Sequence, residues 1–250
     1  MWAASDAFRV GDHLVGVRSD PASLSLRIRA GLAEHAVEDV PAPPNYSLRF
    51  EKRQPGRKGP AQAYVLYRAQ CLFLRTRTRV RALRALSRCL SAHAHADDVV
   101  LRARQLAVVG PSGAVILPPE LHWRLEALEP RLAAKGLWLA DPPLVEIDPE
   151  TGELVVAPPA IGGDAAWFDG RSPSRARDGR YPIREWAILG GEDGEAVSPT
   201  IAVAAVMPMV ERDMKGAAVL DGMLRTLSGT RLTRIRQLPP ARLMERLIPG

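Results

Sequence analysis

The sequence contains very little cysteine and no long apolar run. Cys71 and Cys89 are the only cysteines among 250 residues, and their spacing matches no metal site or redox motif. A disulfide framework is therefore not expected, which favours a reducing compartment such as the cytoplasm. No stretch approaches the roughly 18 apolar residues of a membrane span, and the N-terminal residues lack the basic and apolar regions of a secretory signal. We therefore expect a cytoplasmic protein without a membrane segment.

Lysine is also scarce, because only four of the 34 basic residues are lysine and the rest are arginine. The formal charge of +6 and the pI near 9.8 therefore come from arginine. Such a skew, together with abundant alanine, proline and glycine, is typical of a GC-rich coding sequence. The arginines cluster in one place, at Arg75, Arg77, Arg79, Arg81, Arg84 and Arg88. A nucleic-acid-binding protein, which is one alternative, would present this series as a contiguous positive surface.

Common catalytic and metal-binding motifs are absent, since the sequence has neither G-x-S-x-G nor H-E-x-x-H. His93, His95, Asp97 and Asp98 are close enough in sequence to suggest a metal site. A polar connector after a helix explains them equally well, and no partner cluster occurs elsewhere. We predict no bound metal.

The N-terminal part of the chain, residues 1–97, has the pattern of an α/β subdomain. Residues 8–18 alternate apolar and polar side chains around a Gly-Asp turn, which predicts a hairpin. Residues 21–35 carry apolar side chains four apart and predict a helix with Asp20 as its N-cap. Residues 79–92 predict a second helix, whose arginines we expect mostly on the open face.

Residues 98–250 alternate strands, tight turns and helices. A turn at residues 110–113 precedes an apolar strand at 114–117, and a helix follows over 119–135. Pro130 should kink or break this helix. Strands that alternate with helices, together with several tight hairpins, predict an α/β fold with a mixed sheet rather than a purely parallel one.

The order of these elements resembles the HPr-kinase-like proteins of the PEP-carboxykinase superfamily. The resemblance rests on the turn and apolar strand, on Gly136 after the helix, on a strand ending in LWLAD and on the turn Asp148-Pro-Glu-Thr-Gly152. It covers residues 98–157 well and residues 181–248 loosely. It implies a PEP-carboxykinase-like nucleotide-binding architecture with hairpins in the second part of the chain.

The sequence departs from that family in the phosphate-binding loop. In the family, the apolar strand runs into a glycine-rich loop that ends in Gly-Lys-Ser/Thr. The loop's N–H groups and lysine hold the phosphates, and its hydroxyl holds Mg²⁺. The equivalent segment here, Leu117–Glu126, contains no glycine, lysine, serine or threonine. Pro118 and Pro119 have no N–H group, and Glu120 adds a negative charge. The resemblance therefore implies a degenerate loop and a pseudokinase without a nucleotide or other cofactor.

Several positions near the degenerate loop still allow chemistry. By the same alignment, the lysine position falls at Leu125 and the hydroxyl position at Glu126. His122 and Arg124 could bind an anion at a helix N-terminus. Asp141 matches the family's catalytic or metal-binding aspartate, although it could equally end a strand in a turn. A divergent phosphotransferase that uses these three residues in the same cleft is a second alternative.

A segment rich in glycine, arginine, aspartate and serine, residues 159–180, predicts a long loop. Trp167 and Phe168 are large apolar side chains within it, and they either contact a partner or fold onto the protein's own core. Our leading hypothesis is a non-catalytic HPr-kinase-like protein that binds a protein or peptide partner. Such a protein would act as an accessory factor in a biosynthetic or regulatory pathway. The sequence indicates neither the partner nor the oligomeric state.

Overall fold

The structure is a computed structural model that describes residues 2–38, 40–52, 62–94, 101–140, 144–156, 179–210, 216–236 and 238–248. These residues form two compact units, the first ending at residue 94 and the second beginning at residue 101. Both units combine strands and helices, which confirms the predicted α/β class. Within the described ranges, no helix is both long and apolar enough to cross a bilayer.

The first unit contains a six-stranded mixed sheet. Its strands are β1 (Ala4–Val10), β2 (His13–Asp20), β3 (Ala36–Val37), β4 (Pro44–Lys52), β5 (Gln62–Arg68) and β6 (Cys71–Thr76). They lie in the order β3-β1-β2-β4-β5-β6, and β2 and β4 are the only parallel neighbours. The predicted hairpin is confirmed, because β1 and β2 pair continuously up to Val10 and His13.

Two helices of the first unit pack on this sheet, α1 (Ala22–Gly31) and α2 (Arg79–Ala94). The predicted apolar side chains of α1, including Leu24 and Ile28, are buried. The predicted N-cap is wrong, because Asp20 is the last residue of β2 and pairs with Arg49 of β4. Pro21 takes the N-cap position, and no side chain caps the helix. Strand pairing therefore overrides the local capping preference of aspartate.

The prediction that the arginines of α2 lie mostly on its open face is wrong. Arg81 and Arg84 are only 5% and 3% exposed, and Arg79 and Arg88 are half-buried. The helix is buried around its whole circumference over residues 81–87 instead of along one stripe. Arginine tolerates such burial because its methylene stem packs against apolar groups while the guanidinium makes polar contacts. The arginine series therefore does not form one contiguous positive surface.

The second unit contains two sheets. Its strands are β7 (Leu101–Ala103), β8 (Leu106–Gly110), β9 (Gly113–Leu117), β10 (Trp138–Leu139), β11 (Val145–Ile147), β12 (Leu154–Val156), β13 (Gly179–Tyr181), β14 (Ile183–Leu189) and β15 (Arg231–Ile235). The larger sheet has the order β10-β8-β9-β14-β15, in which β9, β14 and β15 are parallel. The smaller sheet, β13-β12-β11-β7, is antiparallel throughout.

Four described helices cover the larger sheet: α3 (His122–Ala133), α4 (Pro199–Val206), α5 (Gly216–Ser228) and α6 (Pro240–Leu247). Strand β9 is buried on both faces. Ala114 and Ile116 belong to the core that α4 and α5 share, whereas Val115 and Leu117 belong to the core of α3 and α6. A strand buried on both sides reads as a continuous apolar run, which is the pattern that β9 shows.

The predicted helix after β9 is present but begins differently. Residues Pro119–Leu121 form a 3-10 turn, and α3 then continues through Pro130 without a break. Gly136 ends the helix in the left-handed region at φ +69°, where its N–H donates to the Ala133 carbonyl at 3.0 Å. Of the kink or break predicted at Pro130, the break is therefore wrong.

The predicted turn after β11 is held by an aspartate. Asp148 Oδ1 accepts the N–H of Glu150 at 2.8 Å and of Thr151 at 3.2 Å, while Arg180 of β13 donates to Oδ2. The pKa of Asp148 lies below its ordinary value. The largest cause is the hydrogen bond from the Arg180 guanidinium, and the next is the hydrogen bond from the Glu150 N–H group. Gly152 completes the turn at φ +71°.

Arg180→Gln is expected to raise the pKa of Asp148 towards its ordinary value without fully restoring it, because the two backbone donors remain. In the wild-type protein, the folded-state pKa lies below that of the unfolded chain. The pair therefore contributes stability above about pH 4 and loses this contribution as the pH falls. An NMR titration of the Asp148 carboxyl carbon measures the shift. Arg242→Gln, on α6, should leave this pKa unchanged; an unchanged pKa in the Arg180 variant would contradict the assignment.

Candidate functional site

The candidate site is the connection between β9 and α3, where the resemblance places a phosphate-binding loop. Strand β9 ends at Leu117, and Pro118 continues in an extended conformation with φ −59° and ψ 142°. The 3-10 turn follows at once, and α3 begins at His122. The chain therefore passes from strand to helix through one tight turn rather than through a wide loop.

The backbone donors of this turn are already committed. Pro118 and Pro119 have no N–H group. The N–H of Leu121 donates to the Pro118 carbonyl at 3.1 Å, and that of His122 donates to the Pro119 carbonyl. A phosphate cradle needs several successive N–H groups directed at the ligand. Among residues 118–122, only Glu120 has a backbone N–H group that is not used in these two hydrogen bonds.

The side chains at the aligned lysine and hydroxyl positions face the protein interior. Leu125 is fully buried in the core that α3 and α6 share, next to the apolar side chains of β9. Glu126 is 7% exposed. A lysine that reaches a β- or γ-phosphate must extend into the ligand cleft, and the Leu125 position does not allow this. Glu120, by contrast, is exposed and would repel a phosphate.

The two predicted anion-binding residues lie in different surroundings. His122 is 6% exposed, and its ring meets that of Trp123 edge-on with centroids 5.9 Å apart. Arg124 is half-buried, and its Nη1 donates to the carbonyl of Leu238, just before α6. The Arg124 guanidinium thus joins the first turn of α3 to the segment that leads into α6. That contact explains the arginine without a bound anion.

Arg124→Gln is expected to destabilise the protein by about 1.5 kcal/mol, because a charge-assisted hydrogen bond to the Leu238 carbonyl is lost. Urea unfolding measures the change. Arg131→Gln, an exposed position on the same helix, is the matched control and should change stability by less than about 0.5 kcal/mol. Equal stabilities of the two variants would show that the bond contributes nothing.

The remaining predicted site residues, Asp141, Trp167 and Phe168, lie outside the described residues, as do His95, Asp97 and Asp98 and the side chain of His93. Their assignments stay predictions. Within the described part of the chain, no group of three or more histidine, cysteine, aspartate or glutamate residues is placed to hold a metal ion.

Sequence reasoning missed a polar cluster on the same face of the sheet as α6. Arg246 of α6 donates to Glu185 of β14, to Thr233 of β15 and, at 2.5 Å, to Asp193. Thr233 also donates to Glu185 at 2.5 Å, and the side chains of Arg246 and Glu185 are each only 12% exposed. The available signal was the charged Glu185, next to Arg184, within the otherwise apolar strand β14. The arginine neutralises the acid and holds α6 to the sheet, so the cluster is explained as a structural contact.

Comparison with known proteins adds no further assignment. No protein-family model, no curated protein and no solved structure matches this chain. The candidate site is therefore interpreted from its own geometry, which is a β-strand and a helix joined by one tight 3-10 turn.

Proposed function

We propose that this chain is a non-catalytic HPr-kinase-like protein, a pseudokinase that acts by binding a protein or peptide partner. The observation that carries the proposal is the β9–α3 connection. Its two prolines have no N–H group, the N–H groups of Leu121 and His122 donate within the 3-10 turn, and the residue at the aligned lysine position, Leu125, is part of the core. Each change weakens phosphate binding, and together they remove the usual means of holding a nucleotide.

The order of the larger sheet is compatible with the proposed ancestry. Ligands of open α/β sheets usually bind beyond the carboxyl ends of the parallel strands. Here β9, β14 and β15 are parallel, and the degenerate turn follows the carboxyl end of β9. Under this proposal, parallel strands of the kind that bind nucleotides are followed by a connection that does not suit phosphates, which is the combination expected of a pseudokinase.

Exposed apolar side chains favour a binding role. Leu220 and Leu224 lie one helical turn apart on α5 and are 41% and 37% exposed. Ile201, on the adjoining helix α4, is 48% exposed. Apolar side chains that form a contiguous exposed patch often mark a surface that a partner covers. We therefore propose that a protein or peptide partner covers the exposed side chains of Ile201, Leu220 and Leu224.

A phosphoryl-transfer assay tests the proposal. The full chain is incubated with Mg²⁺ and γ-labelled ATP or GTP, with generic protein and peptide acceptors, and labelled product is counted. We expect no transfer above the blank. Transfer that Asp141→Asn abolishes would contradict the proposal and support the divergent phosphotransferase instead.

A further inference from the structure

Helix α5 carries two leucines one turn apart on its exposed side. Leu220 and Leu224 are 41% and 37% exposed, whereas Val219, Met223 and Leu227 are at most 3% exposed and belong to the core. Side chains four residues apart on a helix lie one above the other. The two leucines therefore form a short apolar row along the surface, separate from the side of the helix that packs on the sheet.

Two charges of opposite sign lie beside this row. Asp221 and Arg225 directly follow the two leucines in the sequence, so each lies about 100° further round the helix, and both are exposed. Opposite charges at this spacing can pair within one helix. No such ion pair is present here, and neither side chain bonds to another residue in the described part of the chain. Both charges are therefore available to a partner.

The adjoining helix α4 adds apolar surface without adding charge. It contains no charged residue, although Ile201 is 48% exposed and Ala204 is also exposed. Helix α5 has one acid and one base, so the formal charge of the two helices together is zero. The whole chain, by contrast, carries +6. A surface of this kind favours neither nucleic acid nor a strongly charged peptide.

The order of the four side chains on α5 is self-complementary. A two-fold axis that relates two antiparallel helices places the same edge of each helix side by side. With the axis at the level of residues 222–223, Leu220 of one copy lies opposite Leu224 of the other. Asp221 of one copy then lies opposite Arg225 of the other. The symmetry repeats both contacts, so no charge faces a like charge and no leucine faces a charge.

We propose that α5 and the adjoining α4 form the interface of a two-fold symmetric homodimer, in which α5 packs antiparallel against α5 of a second copy. The leucines supply apolar area, and the two Asp221–Arg225 pairs determine the direction and the register of the helices. This assignment rests on the proposed function, because it names a second copy of this chain as the protein partner that covers Ile201, Leu220 and Leu224.

The oligomeric state of the full chain is the first test. Sedimentation velocity over a concentration series measures it. We expect a species of twice the 27.2 kDa chain mass that dissociates on dilution. A monomer at every concentration would overturn the inference.

Charge-reversal variants test the register. Asp221→Arg and Arg225→Asp should each weaken dimerisation at least tenfold, because each variant places like charges opposite one another twice. Mixed in equal amounts, the two variants should form a heterodimer at least tenfold more stable than either homodimer, since every facing pair then has opposite charges. Both residues are exposed, so both variants should fold. A mixture that associates no better than the separate variants would contradict the antiparallel register and with it the inference.

A leucine variant locates the interface on α5. Leu224→Glu should weaken dimerisation at least tenfold, because the row would then bury a carboxylate against Leu220 of the other copy. Leu26→Glu is the matched control, since this leucine of α1 is 66% exposed, and it should leave dimerisation unchanged. A dimer that persists in a folded Leu224→Glu variant would lie on another surface and overturn the inference. If that variant does not fold, the charge-reversal mixture still decides.

The phosphoryl-transfer assay is independent of the oligomeric state. A monomeric chain without phosphoryl transfer would remove only the homodimer and leave the pseudokinase proposal standing. A dimer that transfers phosphate, with both activities separable by the Leu224 and Asp141 variants, would remove the pseudokinase proposal and leave the interface.

Discussion

Leu125→Lys, which places a lysine at the position that the resemblance aligns with the lysine of the HPr-kinase-like proteins, is expected to destabilise the protein by about 5 kcal/mol and to create no nucleotide affinity. Leu125 is fully buried between β9, α3 and α6. The substitution removes a core side chain and places an ammonium group among the apolar side chains of that core, and each of these effects costs several kcal/mol. Since domains are stable by about 5–15 kcal/mol, the variant should be largely unfolded or close to it.

Urea unfolding followed by circular dichroism measures this effect, with two controls. Ala127→Lys adds the same charge to an exposed position of α3 and should cost less than about 0.5 kcal/mol. Leu125→Met keeps the volume and should cost less than about 1.5 kcal/mol. If Leu125→Lys is as stable as Ala127→Lys and binds MgATP, the side chain reaches a ligand cleft and the proposed burial is wrong.

Arg246→Gln is expected to destabilise the protein by about 3 kcal/mol, the second largest effect. The substitution leaves Glu185 as an unpaired carboxylate that is only 12% exposed, and it removes the donors to Thr233 and Asp193. Removing one partner of a buried ion pair lowers the free energy of unfolding by more than the intact pair contributes to it, because the remaining charge stays desolvated. Equilibrium unfolding in urea provides the free energy.

A second arginine on the same helix provides the control. Arg242 pairs with Glu245, but their side chains are 71% and 64% exposed, so Arg242→Gln should cost less than about 0.5 kcal/mol. The double variant Arg246→Gln/Glu185→Gln should be more stable than the sum of the single changes predicts, since neither charge is then left alone. Additive effects would show that the two side chains do not interact.

Local patterns predicted much of the fold. The hairpin predicted over residues 8–18 forms as β1 and β2, the apolar strand predicted at 114–117 forms as β9, and Gly136 follows its helix as expected. Ser198 caps α4, since its Oγ accepts the N–H of Ile201, and serine before proline is a common sequence at a helix start. These features depend on side-chain periodicity and on the backbone preferences of a few neighbouring residues, and both can be read from the sequence.

Features that depend on distant parts of the chain could not be predicted. The periodicity of α2 shows one apolar stripe, but the burial of Arg81 and Arg84 depends on what packs around the helix. Arg124 and Leu238 are 114 residues apart, and Arg246 and Glu185 are 61 apart. No local signal links such residues, so an arginine that suggests an anion site proves to bond a backbone carbonyl.

The feature that carries the proposed function, in contrast, was visible in the sequence, because Leu117–Glu126 lacks the residue types that phosphate binding needs.

Thermal unfolding of the full chain with and without millimolar ATP or GTP and Mg²⁺ tests the central claim most directly. A ligand at about 100 times its dissociation constant stabilises the folded state by about 2.7 kcal/mol, which raises the melting temperature measurably. The account predicts the same melting temperature with and without nucleotide. A clear increase that requires Mg²⁺ would show that the β9–α3 turn still binds phosphates, and would contradict the pseudokinase proposal.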